Sequence, residues 1–138
     1  MIILLVEDEA LIALTLEMTL SEAGYTVLGP VATVQRALEL ARQEVPDLAL
    51  VNINLRDGGN GIELARELRT RWMVPVLFVS GQRSDALANR DVAMGFMGKP
   101  YDAAVALASV RLVQHLLEGR PPPPPLTPRG LELFAAPG

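Results

Sequence analysis

The sequence predicts an α/β sandwich in which a doubly wound, five-stranded parallel sheet lies between two layers of helices. Short apolar runs alternate with longer stretches of helical period, the pattern of repeated βα units. The run at 48–53 is almost wholly apolar, as a central parallel strand covered on both faces must be. Strands are expected at 2–6, 26–29, 48–53, 74–80 and 95–97, and helices at 9–23, 33–44, 61–70, 84–94 and 102–117. Asn60 with Glu63 forms a plausible N-cap pair for the third helix, and Gly24 sits where the first should stop.

Composition narrows the function. The 138 residues suit one domain with a continuous core. There is no cysteine, which removes disulfides, thiolate chemistry and Cys-type zinc sites. The single His115 cannot form a histidine cluster and is expected on a helix surface with no catalytic role. Any metal must therefore be oxygen-bound. A formal charge of −4 with scattered Lys and Arg argues against nucleic-acid binding. No apolar run approaches the ~20 residues that cross a bilayer. Met1 leads straight into a strand and then acids, unlike a signal peptide, so the expected location is the cytoplasm with no membrane contact.

In a parallel sheet the carboxyl ends of the strands share one edge, where such folds bind ligands. That edge collects Glu7-Asp8-Glu9 after the first strand, Asn52 at the end of the third, Ser80-Gly81 at the end of the fourth and Lys99-Pro100 after the fifth. Singly, an acidic run is a solvated helix start and Lys-Pro is a turn. Together, each just after a strand, they describe a site.

On Glu7-Asp8, Val51-Asn52-Ile53-Asn54, Ser80-Gly81 and Gly98-Lys99-Pro100, residues 1–118 resemble the receiver domain of two-component response regulators, a chemotaxis-regulator-like, flavodoxin-like βα5 fold. The resemblance implies a phosphorelay signalling domain, not an enzyme, that takes a phosphoryl group from a histidine kinase or histidine phosphotransfer protein. It further implies that Glu7, Asp8, the side chain at 52 and the backbone carbonyl of Asn54 hold Mg²⁺. Lys99 and Ser80 would bind the phosphoryl oxygens, with Ser80 and Phe96 as the switch pair.

The departure is Asn52, where the family carries its acceptor aspartate. An amide nitrogen is neither a nucleophile nor a negative charge. One charge–charge contact at ~4 Å and an effective dielectric near 20 is about 4 kcal/mol before desolvation, so Mg²⁺ binding should be weak or absent. Asn52 is either the natural residue or an introduced Asp-to-Asn substitution. Asp57, in the loop that follows, is an alternative acceptor, and Ser80 a rarer one.

The first helix (Leu11, Ile12, Leu14, Leu16, Met18, Leu20) and the last (Val105, Leu107, Val110, Leu112, Val113, Leu116, Leu117) are apolar around more of their circumference than one sheet contact needs. A partner or a homodimer through either helix explains that, and so does an ordinary sheet-covering helix rich in leucine. Residues 119–138 form a Pro-rich tail. Pro121 to Pro125 should be polyproline II, with PxxP spacings Pro122–Pro125 and Pro125–Pro128, a stiff tail or linker. Leu131, Leu133 and Phe134 offer it a small docking surface. The contrasting reading is a flavodoxin-like ligand-binding protein or enzyme using the same edge pocket. Against it, acids replace a phosphate-binding Gly-rich loop after the first strand, and Gly58, Gly59 and Gly61 lack GxGxxG spacing. Gly98-Lys99-Pro100 lacks the Ser/Thr of a P-loop, and Asp8 lacks the second aspartate of a haloacid-dehalogenase-like phosphatase.

Overall fold

The structure, a computed structural model, describes residues 1–55, 59–120 and 128–134. Along the chain come β1 (Ile2–Val6), α1 (Ala10–Glu22), β2 (Thr26–Val31), α2 (Val34–Gln43), β3 (Leu48–Asn52), β4 (Asn54–Leu55), β5 (Gly59–Asn60), α3 (Gly61–Trp72), β6 (Val76–Ser80), α4 (Arg83–Ala88), β7 (Gly95–Gly98), α5 (Ala103–Leu117) and β8 (Leu131–Leu133). The main sheet has the order β2-β1-β3-β6-β7-β8. Its first five strands are parallel, as the alternating pattern requires. The sixth is the tail, antiparallel to β7.

All five residues of β3 are buried, as are those of β6. On one face Leu4, Val51 and Phe78 pack with Ala37, Leu64, Leu68 and Ala86 from α2, α3 and α4. On the other, Leu5, Leu50 and Leu77 pack with Leu16, Leu20, Val110 and Val113 from α1 and α5. Each fully buried Val, Leu or Phe here contributes about 1.5–3 kcal/mol, so these two layers dominate stability.

Local chemistry sets the helix ends. Asn60 caps α3 as expected, its Oδ1 accepting from Ile62 N at 2.7 Å. Thr33 caps α2 through Arg36 N, and Asp102 caps α5 through Val105 N. Gly24 follows α1 at φ +98, a left-handed conformation that suits glycine. The fourth helix differs from the expected 84–94 and stops at Ala88. Asn89 there turns its side chain back onto the Asp85 carbonyl at 2.9 Å, and Val92 and Ala93 are drawn into the core instead.

α1 leaves Leu11, Leu14 and Met18 exposed, with Leu11 at 78%. α5 is more buried than its sequence suggested, and only Leu116 and Leu117 among its large apolar residues are exposed. No helix among the described residues is long and apolar enough to cross a membrane. The expected polyproline segment and the Pro122–Pro125 spacing lie outside the described residues.

Gly61, the first residue of α3, lies against the end of β3. A Cβ there would stand 2.3 Å from Asn52 O and 2.8 Å from Ile53 Cα. Both are backbone atoms, so the strand itself would have to move. Alanine normally favours a helix over glycine by about 1 kcal/mol, but overpacking costs about 1–3 kcal/mol and should win here. Gly61→Ala is expected to lower the thermal midpoint by several degrees in a calorimetric scan; an unchanged or raised midpoint would show that β3 relaxes freely.

Candidate functional site

Four strand ends build the site. β1 releases the chain at Glu7, whose N–H donates to Val31 O at 2.9 Å and so fixes the acidic run beside β2. β3 ends on Asn52, β6 on Ser80, and β7 leads to Lys99, whose N–H donates to Ser80 O at 2.9 Å.

Asn52 is the centre. Its side chain is buried, and Nδ2 donates to both Glu7 Oε2 at 3.0 Å and Asp8 Oδ1 at 3.1 Å. Glu7 Oε2 also accepts from the N–H of Asp8 at 2.9 Å and of Glu9 at 3.2 Å. Lys99 Nζ lies 3.4 Å from Glu7 Oε1 and 3.8 Å from Glu9 Oε1. Burial pushes the Glu7 carboxyl above the usual carboxylate range, while the Glu9 amide and the Lys99 charge pull it back. The acids are thus held by one ammonium and by both protons of one amide. An aspartate of the same shape would place a third carboxylate against the two already there and donate nothing to them.

The other expected residues are placed as follows. Ser80 is buried and folds onto its own turn, Oγ accepting from Gln82 N at 2.9 Å and donating to Gln82 O at 3.1 Å. Phe96 is buried, its ring 6.2 Å from that of Phe134. Asn54 lies in β4, paired with Asn60 of β5. Asp57 lies outside the described residues. Asn52 contacts Glu7 and Asp8, and Lys99 contacts Glu7 and Glu9, so Glu7 joins the two groups.

Among the described residues no group of three or more His, Cys, Asp or Glu gathers to hold a metal. Mg²⁺ asks for near-octahedral oxygen ligands. Glu7 and Asp8 would supply carboxylates, and the Asn52 amide donates to one oxygen of each, Glu7 Oε2 and Asp8 Oδ1.

Sequence reasoning passed over Tyr101. With Glu9, Ile12, Lys99 and Pro100 it lines a cavity of ≈360 Å³. Its hydroxyl is buried and finds no hydrogen-bond partner among the described residues, and burial, with the nearby Glu7 and Glu9 charges, pushes its pKa up. The signal was an aromatic directly after Lys99-Pro100. Glu9, taken only as part of an acidic run, is the N-cap residue of α1 and lies 3.8 Å from Lys99 Nζ.

Comparison with known proteins agrees with this fold. Residues 3–111 match the response regulator receiver domain. The chain is 32% identical over 115 residues to the transcriptional regulatory protein PdtaR of Mycobacterium tuberculosis, covering 80% of this chain and 55% of that one. It is 33% identical over 104 residues to the phyllosphere-induced regulator PhyR of Methylorubrum extorquens, covering 74% and 39%. This chain therefore spans about half the length of these relatives, or less. Among solved structures, the signal receiver domain of a modulated diguanylate cyclase from Desulfovibrio desulfuricans superposes with a TM-score of 0.74 at 31% identity, covering 85% of this chain and 95% of that one. The receiver domain of NtrX from Brucella abortus gives 0.74 at 25% identity, covering 84% and 98%. With the parallel sheet, the acids after β1 and the lysine after β7 all in place, the chain belongs to the response regulator receiver domain family.

Proposed function

We propose that this domain signals by docking to other proteins and that Asn52 keeps its receiver pocket in an unphosphorylated, internally neutralised state. The observation that carries this reading is the Asn52 amide bridging Glu7 and Asp8. The amide lone pair is delocalised, and both of its protons are engaged by carboxylates, so this side chain is no phosphoryl acceptor. Phosphoryl transfer needs little from a protein beyond positioning and charge neutralisation. Lys99 and the acids are suited to those tasks, and the missing component is the acceptor. Mg²⁺ would be held by Glu7, Asp8 and the backbone carbonyl of Asn54, and would supply charge neutralisation. It binds weakly here because it must displace the amide.

A histidine kinase or histidine phosphotransfer protein is the partner the family points to, and α1 is the docking surface. Leu11, Leu14 and Met18 are exposed on the helix that begins directly after the acids. Beside them a cavity of ≈250 Å³ runs between Ile12, Thr15, Tyr101 and Ala103 at the start of α5. An apolar surface of this kind suits the helices of a partner bundle.

Incubation with acetyl phosphate and Mg²⁺, followed by intact-protein mass spectrometry, should add a phosphoryl mass to Asn52→Asp and none to the wild type. A phosphorylated wild type would place the acceptor elsewhere, at Asp57 for example, and end the amide-lock reading. Asn52→Asp also replaces two charge-assisted hydrogen bonds by repulsion, a loss of about 2–4 kcal/mol in metal-free protein. Its thermal midpoint should fall in chelator and recover in millimolar Mg²⁺, while the wild type barely responds to the ion. Matching responses of the two forms would count against the competition between amide and cation.

A further inference from the structure

The outer edge of β7 needs separate explanation. Residues 94–98 would otherwise present unpaired amides and carbonyls, a template for any extended chain. Instead β8 pairs Leu133 with Gly95, Glu132 with Phe96 and Leu131 with Met97. Gly98 N donates to Gly130 O at 2.9 Å, and Phe134 N to Met94 O at 2.8 Å. The acceptor side is shaped for this strand: a Cβ at Gly95 would meet Glu132 O at 2.4 Å and Leu133 Cα at 3.1 Å.

Two side-chain anchors set the register. Arg83 Nε and Nη2 donate to the two carboxylate oxygens of Glu132 at 2.7 and 2.8 Å, a bidentate fork. The Phe134 ring stacks on Phe96. Both anchors belong to the framework of the site, since Phe96 lies in the strand that delivers Lys99 and Arg83 opens α4 just after Ser80. A cavity of ≈400 Å³ beside Ser80 and Lys99 has Gly130, Leu131 and Glu132 in its wall.

We propose that the β7 edge, with Arg83 and Phe96, is a strand-acceptor site for an extended peptide of the pattern Leu-Glu-Leu-Phe, and that residues 131–134 are its resident occupant, closing the edge to strands from other chains. Backbone pairing supplies affinity in such strand addition, and the side-chain anchors supply selectivity. A short ladder and an exposed ion pair hold only modestly. The tether compensates, because covalent linkage makes the pairing intramolecular and independent of protein concentration. The proposal does not depend on the chemistry of position 52 and is tested with Asn52 in place.

A fluorescent peptide of residues 126–134 is titrated into full-length protein. The Glu132→Ala/Phe134→Ala chain, whose own tail is released, should bind it at least tenfold more tightly than the wild type does. Adding Arg83→Glu should abolish that binding, and a peptide carrying Glu132→Arg should restore it. Amide exchange supplies an independent reading: the Gly98 amide and the backbone amide at position 134 should be protected in the wild type and lose at least tenfold of that protection in the released chain. They should lose it also in Gly95→Ala, which should refuse the peptide. No binding to the released chain at millimolar peptide, equal affinity in wild type and released chain, or indifference to Arg83 would overturn the proposal, as would unprotected wild-type Gly98 and Phe134 amides.

Discussion

The hydrogen-bonded bridge from the Asn52 amide to Glu7 and Asp8 is the interaction on which the carboxyl edge of this sheet depends. Buried carboxylates need donors or cations, and Glu7 is almost fully enclosed. Lys99 answers one of its oxygens, while backbone amides and Asn52 answer the other. Without the amide, two acids would share one ammonium in a half-dry pocket. With it, one oxygen of each of Glu7 and Asp8 accepts a hydrogen bond from the same side chain.

The position of that amide follows from backbone packing. Adjacent parallel strands β1 and β3 bring Glu7 and Asn52 side by side. Gly61 lets α3 begin directly against the last peptide of β3, and its N–H donates to Ile53 O at 2.9 Å. A bulkier residue at 61 would push the strand end, and the amide with it, away from the acids. The apolar layers on both sheet faces hold this arrangement, and the site itself contributes little to them.

The same logic of satisfied groups explains the far side of the sheet. β7 would be an exposed edge, and the chain closes it with its own β8. Because Phe96 and Arg83 each touch the tail and each lie close in sequence to a site residue, edge and pocket share a framework. The exposed apolar stripe of α1 lies on the other sheet face, packed from behind by α5. The domain thus offers two physically distinct surfaces, one helical and apolar, the other a strand edge already occupied.

The sequence alone determined the five parallel strands, their order of appearance and the residues gathered at their carboxyl ends, because period and burial of apolar runs are local properties. It also identified Leu131, Leu133 and Phe134 as a docking surface. It could not place the partner of that surface, since antiparallel pairing with β7 joins segments more than thirty residues apart through backbone groups that every residue carries. The early end of α4 was hidden for a related reason: the Asn89 bond to the Asp85 carbonyl goes with the packing of Val92 and Ala93 in the core, which involves distant segments. Asn52 was legible as a missing nucleophile. That its amide donates to both Glu7 and Asp8 is a matter of angstrom-scale geometry between strand ends, which only the tertiary structure decided.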